Sequence, residues 1–91
     1  MFPKKLDGAE VLYYTAKGEF GTVYYATGEI FDYVKYLAIC RYANAENEYY
    51  LFGCSDNYDV ISDSVWNSIA ECIRVANSSY GGNIFWIEAN Q

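Results

Sequence analysis

The side chains that could do chemistry in this sequence are carboxylates, thiols and phenols, because histidine is absent. Histidine is the commonest general base and the commonest metal ligand, so its absence argues against catalytic triads and zinc sites. The cysteines form no C-x-x-C pair, and Gly18, Gly21 and Gly28 form neither a phosphate loop nor a dinucleotide-binding motif. The sequence therefore predicts a non-catalytic protein with no cofactor and no metal.

The carboxylates are spaced in ways that superficially suggest a site. Counted from Asp56, however, the third and fifth positions of a calcium loop would be a tyrosine and a valine, which supply no carboxylate. Asp59 with Asp63, or Glu46 with Glu48, could do acid–base work only if one member were desolvated. On turns and loops such groups are normally hydrated, so we expect a solvated surface.

The three cysteines, Cys40, Cys54 and Cys72, are an odd number at wide spacings, and each lies in an apolar stretch. This pattern predicts buried, reduced thiols rather than a disulfide framework. A nucleophilic Cys54 would need a neighbouring histidine or lysine to lower its thiol pKa, and the local sequence offers neither. Reduced thiols favour a cytoplasmic protein.

Charge is distributed unevenly along the chain. The sequence has 12 acidic and 6 basic residues, a net charge of −6, and residues 1–45 hold five of each kind. From residue 46 onward seven acids face Arg74 alone, so the whole net charge lies in the second half. A field of this sign repels phosphate backbones, which argues against nucleic acid and favours a basic protein partner.

The elements that must position these residues are mostly strands. Residues 9–16 and 22–26 are rich in β-branched and aromatic residues, and the turn between them predicts that they pair as a hairpin. Residues 29–42 fit both a helical and an alternating period, and we favour a strand over 36–43. A polar loop then leads to the strongest strand candidate, 48–55, as a second hairpin.

One helix is predicted after a turn at 56–59 and a short extended piece at Val60–Ile61. Ser68 and Glu71 have the spacing of a capping box, which starts a helix of about twelve residues at Ile69. Its apolar positions lie on one face, and Gly81-Gly82 provides the stop. Residues 83–88 are apolar enough for a final strand buried on both sides.

These elements predict an α+β fold in a single domain, 1–91, with an antiparallel sheet of about five strands and one amphipathic helix packed on one face. The other face should be partly exposed and aromatic, since the sequence has 11 tyrosines. No apolar run approaches the roughly 20 residues that span a bilayer, and the first residues lack the apolar segment of a signal peptide. We therefore expect no membrane contact.

The segment from Tyr50 to Cys72 resembles a family of small acidic bacterial proteins. In that family a strand ending in Cys-Asp leads through a short turn, an Asp-Ser/Thr pair and an aromatic residue into a Ser-capped helix. The matching residues, over about 36–88, are Cys54, Asp56, Val60, Asp63, Trp66 and Ser68. The resemblance implies a cytoplasmic immunity-type protein, a stoichiometric antitoxin encoded beside its toxin.

Two functional hypotheses follow. The first is a binding protein that neutralises a basic toxin or other enzyme, with acids that speed encounter and aromatic anchors that give affinity. Its predicted contact residues are Glu46, Glu48, Tyr49, Asp56, Tyr58, Asp59, Asp63 and Trp66. Trp66 has a structural alternative, in which it packs the helix entry against the core. The second hypothesis is a structural or regulatory accessory protein, of a phage or mobile element, that self-associates as a homodimer through the tyrosine-rich sheet face.

Overall fold

Residues 1–89, which the computed structural model describes, form eight strands and one helix. In chain order they are β1 (Lys5–Leu6), β2 (Ala9–Tyr14), β3 (Gly21–Tyr24), β4 (Ile30–Val34), β5 (Tyr36–Arg41), β6 (Tyr49–Cys54), β7 (Val60–Trp66), α1 (Ile69–Tyr80) and β8 (Ile87–Glu88). The main sheet has the order β1-β2-β5-β6-β7, every pair antiparallel, and β8 adds to β2. The α+β class with one helix against an antiparallel sheet is confirmed.

The predicted pairing of residues 9–16 with 22–26 is wrong. β2 pairs with β5, whereas β3 pairs with β4 in a separate two-stranded sheet. The reason is local: Gly28 takes a left-handed backbone with φ 94°, and Tyr25 donates its N–H to the Glu29 carbonyl, which closes a tight turn between β3 and β4. We call this β3–β4 hairpin, residues 21–34, the arm.

The predicted hairpin of β5 and β6 is confirmed, with Cys40 opposite Tyr50 and Tyr36 opposite Cys54. Alternate residues of these two strands enter two different cores. The inner cluster consists of Leu6, Ala9, Val11, Ala38, Cys40, Phe52 and Cys54, and the helix-side cluster consists of Val34, Leu37, Ile39, Leu51, Cys72 and Ala76. The middle of the sheet is therefore buried on both faces.

The face opposite the helix is more closed than predicted, because the sheet curls over its own inner cluster. Tyrosines cover the two ends of that cluster. At one end Tyr36 stacks on Tyr58 with ring centroids 4.7 Å apart, and Phe2 stacks on Tyr14 at 4.6 Å. Other tyrosines, Tyr42 and Tyr50, meet edge to face at the opposite end. Most of the tyrosine excess in the sheet thus serves packing.

Helix α1 begins and ends where the sequence predicts. The Ser68 hydroxyl accepts from the Glu71 N–H at 3.1 Å, and Gly81 follows the last turn with φ 95°. The Glu71 carboxylate reaches back to the N–H of Asn67, one residue before the serine of the predicted capping box. The buried face of the helix, Cys72 and Ala76, completes the helix-side cluster.

Two sequence predictions near the ends of strands need correction. The short piece at Val60–Ile61 extends to Trp66, because the whole of β7 pairs with β6. The final strand predicted over 83–88 is reduced to Ile87–Glu88, and Phe85 is 77% exposed instead of buried. Of residues 83–88, only Ile87 and Glu88 pair with β2, so residues 83–86 do not belong to the sheet. No helix in residues 1–89 is long and apolar enough to cross a membrane.

Candidate functional site

The arm is joined to the main body at its base. Val34 is fully buried in the helix-side cluster, and the half-buried Val23 packs against the same cluster. The N–H of Lys35, just after the arm, donates to the Cys54 carbonyl at 2.8 Å, and Phe20 donates to the Val34 carbonyl at 3.0 Å. These contacts fix one face of the arm, which we call its inner face.

The other face of the arm, its outer face, carries large apolar side chains and no charge. Cross-strand partners share a face, and so do residues two apart in a strand. The register pairs Thr22 with Tyr33 and, across a β-bulge, Tyr24 with Ile30, so these four residues lie together. The only charged residue paired within the hairpin, Asp32, is opposite Val23 on the inner face.

The exposure of the arm is unusual for side chains of this size. Tyr24, Tyr25, Ile30, Phe31 and Tyr33 are between 47% and 60% exposed, and the rings of Tyr25 and Phe31 meet edge to face at 5.2 Å. Isolated exposed apolar residues are common on protein surfaces. Five on one 14-residue hairpin concentrate exposed apolar surface in a short segment, and such concentrations are often found at interaction sites. We call these five residues the patch.

Charges lie around the arm rather than on its outer face. Glu29 is in the turn at the tip, and Asp32 accepts a hydrogen bond from the Tyr33 N–H at 2.7 Å. At the base, the ammonium of Lys35 is 3.1 Å from the Glu19 carboxylate and 5.8 Å from the centroid of the Tyr33 ring. The patch therefore has an uncharged centre, with Glu29 at its tip and the Glu19–Lys35 ion pair at its base.

The contact residues predicted from the sequence fall into two groups at opposite ends of the β6–β7 hairpin. In the first, Glu46 and Glu48 are exposed in the loop before β6, and Tyr49 pairs with Trp66. Trp66 is half-buried against the helix-side cluster, and its indole N–H donates to the Ser64 hydroxyl at 2.7 Å. This packing fits the structural alternative for Trp66.

The second group lies in the β6–β7 turn. Asp56 forms an ion pair with Lys17, whose hydrogen bond lowers the pKa of that carboxyl. Tyr58 has a left-handed backbone with φ 66°, and its ring stacks on that of Tyr36, whose neighbouring phenol raises the pKa of Tyr58. Asp59 donates its N–H to the Ser55 hydroxyl at 3.2 Å, as part of the turn.

Asp63 belongs to neither group, since it lies midway along β7 opposite Phe52. Six residues of strand span roughly 20 Å at about 3.3 Å per residue, so the two groups are well separated. The structure does not bring the eight residues into one patch. Their role in partner binding stays a prediction.

The chain matches no protein-family model, no curated protein and no solved structure. The resemblance to immunity-type proteins therefore stays a prediction, and the case for function depends on the geometry of this molecule.

In the described part of the chain, neither the potential metal ligands nor the thiols are arranged as a reactive site. Residues 1–89 contain no group of three or more potential ligands placed to hold a metal ion. The cysteines are buried and free, and burial raises the pKa of the Cys54 thiol to about 12 and of the Cys72 thiol to about 11. Thiols held in the neutral form are poor nucleophiles.

Sequence reasoning missed the arm as a site. The predicted strand over 22–26 ends just before Thr27-Gly28, a dipeptide that lies between two β-rich runs, 22–25 and 30–34. A glycine turn between two such runs is a hairpin signal. Had the pairing been predicted, the crowding of large apolar residues on a short hairpin would have suggested the patch.

Proposed function

We propose that this protein is a non-catalytic binding domain that docks on another protein through the outer face of the arm. The observation that carries the proposal is the exposure of five large apolar side chains on the arm, while the apolar residues at the centre of the main sheet are buried. Aromatic residues dominate the binding energy of many interfaces, because they bury much area at a low cost in side-chain entropy. The arm provides four such rings.

The charge of the molecule supports a basic partner. The net charge is −6, and Glu29 lies in the turn at the tip of the arm, next to its uncharged outer face. Acidic groups at the rim of an interface steer a basic protein into place and exclude acidic ones. Neutralisation of a basic toxin or enzyme, as the immunity-type resemblance implies, is the specific form of the proposal.

The experiment tests the outer face directly. Affinity enrichment on the tagged protein identifies a partner, which is then purified for kinetic measurements. The double change Tyr24→Ser with Tyr33→Ser removes two exposed rings from one face. We expect it to speed dissociation by at least about tenfold, because truncated aromatic anchors typically cost more than 1 kcal/mol each.

The matched control is Phe85→Ser, which removes an exposed ring outside the arm. This variant should dissociate at the wild-type rate. If the arm variant binds normally and Phe85→Ser does not, the docking surface lies on the segment after α1 and the proposal is wrong.

The second candidate function is the accessory protein that assembles with itself. It is favoured by the lack of charge on the outer face, which lets like surfaces meet. The neighbouring genes separate the two candidates: a toxin or nuclease gene next to this one supports the inhibitor, and a cluster of structural phage genes supports the accessory protein.

A further inference from the structure

The edges of the main sheet are protected against pairing with other chains, and the β3 edge of the arm is not. Natural sheets protect their edges with short strands, charged side chains or proline. β1 and β8 have two residues each, and β7 carries Asp63. β3, Gly-Thr-Val-Tyr, has neither a charge nor a proline.

Within residues 1–89, β3 pairs with β4 alone, and no other backbone hydrogen bond reaches Gly21–Tyr24. One edge of β3 thus has no strand beside it. A strand edge of this kind is a template for the addition of a further strand.

We propose that β3 pairs antiparallel with β3 of a second copy, so that two arms form one four-stranded sheet around a two-fold axis. In such a contact each β3 residue of one copy lies opposite a β3 residue of the other copy. The set Gly21, Thr22, Val23 and Tyr24 tolerates this, because it brings no like charges together.

The acidic residues of the arm do not oppose this pairing. Asp32 lies on β4, which is the outer strand of the four-stranded sheet, and three strand spacings put the two copies of Asp32 roughly 14 Å apart. This is beyond the screening length of about 8 Å at physiological salt. Antiparallel arms also point their tips in opposite directions, which separates the two copies of Glu29.

The dimer gives the docking surface the size that one arm lacks. A large side chain buries on the order of 200 Å², so five half-exposed ones offer roughly 500 Å². A standard interface needs about 800 Å² from each partner. Two outer faces side by side offer roughly 1,000 Å². The inference rests on the proposed function in this respect, since it completes the surface on which the partner docks.

Sedimentation equilibrium of the full chain, over concentrations up to about 1 mM, tests the pairing. We expect a species of twice 10.4 kDa. Thr22→Lys puts a charge on the β3 edge and should weaken association at least tenfold. Tyr24→Lys is the second variant, and its exposed position makes it tolerant of the change. Both must keep the wild-type unfolding midpoint.

Val65→Lys is the matched control, because it adds the same charge at a 49% exposed position on the other edge strand, β7. It should dimerise like the wild type. Amide hydrogen exchange of Gly21–Tyr24 should slow as the concentration rises through the transition.

A monomer at every concentration overturns the inference, as does a dimer whose β3 amides gain no protection. A dimer lost in Val65→Lys and kept in Thr22→Lys places the contact on β7, which also overturns it. The two failures are distinguishable, because sedimentation follows a second copy and the dissociation assay follows the partner. A monomer whose partner dissociates faster in the Tyr24→Ser and Tyr33→Ser variant overturns the dimer and leaves the partner docked on a single arm.

Discussion

Ser68 holds the first turn of α1 through one hydrogen bond, from the Glu71 N–H to its hydroxyl. Ser68→Ala removes the acceptor and leaves that N–H without its partner. We expect a loss of about 1 kcal/mol in the free energy of unfolding, measured in urea. Ser79→Ala, at an exposed position of the same helix, is the control and should change stability by less than about 0.5 kcal/mol. Equal effects would mean that Ser68 does not act as a cap.

The three thiols are shielded by the fold to similar degrees. Cys40 and Cys54 lie in the inner cluster and Cys72 in the helix-side cluster, and burial raises the pKa of each thiol. Because the thiolate is the reactive form, a thiol reagent at pH 8 should label all three slowly in the native protein and rapidly in urea. Mass spectrometry counts the labels. Fast labelling of two or more in native buffer would contradict the burial seen here.

Four elements converge on one glycine of the main sheet. A Cβ at Gly53 would lie against the Ser62 hydroxyl, 3.2 Å from Val34 Cγ1 at the base of the arm, and 3.5 Å from the Tyr80 hydroxyl at the end of α1. The Ser62 and Tyr80 hydroxyls are themselves 3.2 Å apart and hydrogen-bonded. This close approach of β6, β7, α1 and the arm depends on the missing side chain.

Gly53→Ala should therefore destabilise the protein by roughly 1–3 kcal/mol, because the added methyl group displaces packed neighbours. Gly82→Ala is the control, since a Cβ there meets nothing within 4 Å and should cost less than about 0.5 kcal/mol. Urea unfolding of both variants gives the comparison. A tolerated alanine at 53 would show that the Ser62–Tyr80 contact rearranges freely.

The elements that sequence predicted well are those with local signals. Helix α1 has a cap at Ser68, a helical period of apolar residues and a glycine stop at Gly81, all within its own segment. The β5–β6 hairpin joins two neighbouring runs across a short polar loop. In both cases the interactions that define the element are close in sequence.

One pairing that the sequence missed depends on a distant partner. β2 pairs with β5, about thirty residues away, because Ala9 and Val11 complete the inner cluster with Ala38 and Cys40. No residue within 9–16 indicates which strand β2 will pair with. The arm, by contrast, has a local signal in Gly28 between two β-rich runs, and its exposed face becomes evident once β3 is paired with β4 and not with β2.

At the scale of the whole molecule, the acidic second half predicts a specific kinetic behaviour. Reversing the charges of Glu46, Glu48 and Asp59, none of which is in an ion pair within residues 1–89, leaves the packing unchanged. Charges at a rim act mainly on the association rate and are screened by salt. With a basic partner we expect several-fold slower association at low salt, a smaller effect near 0.5 M salt and an unchanged dissociation rate.

Surface plasmon resonance at several salt concentrations measures both rates for the charge-reversed protein. The control reverses Asp56 alone, whose charge is already partly balanced by Lys17. Association as fast as wild type at every salt concentration would mean that these acids act only in solubility. The partner would then be recognised by the apolar arm without electrostatic steering.

The tip of the arm also makes this fold a natural scaffold for carrying foreign sequence. Residues 25–29 are exposed, contact neither core cluster and close a turn on a two-stranded stem. Insertions succeed at exposed turns of this kind because the surrounding backbone loses no buried hydrogen bonds. A peptide epitope spliced between Thr27 and Gly28 would be displayed clear of the main sheet, and natural variants of different length should differ first at this position.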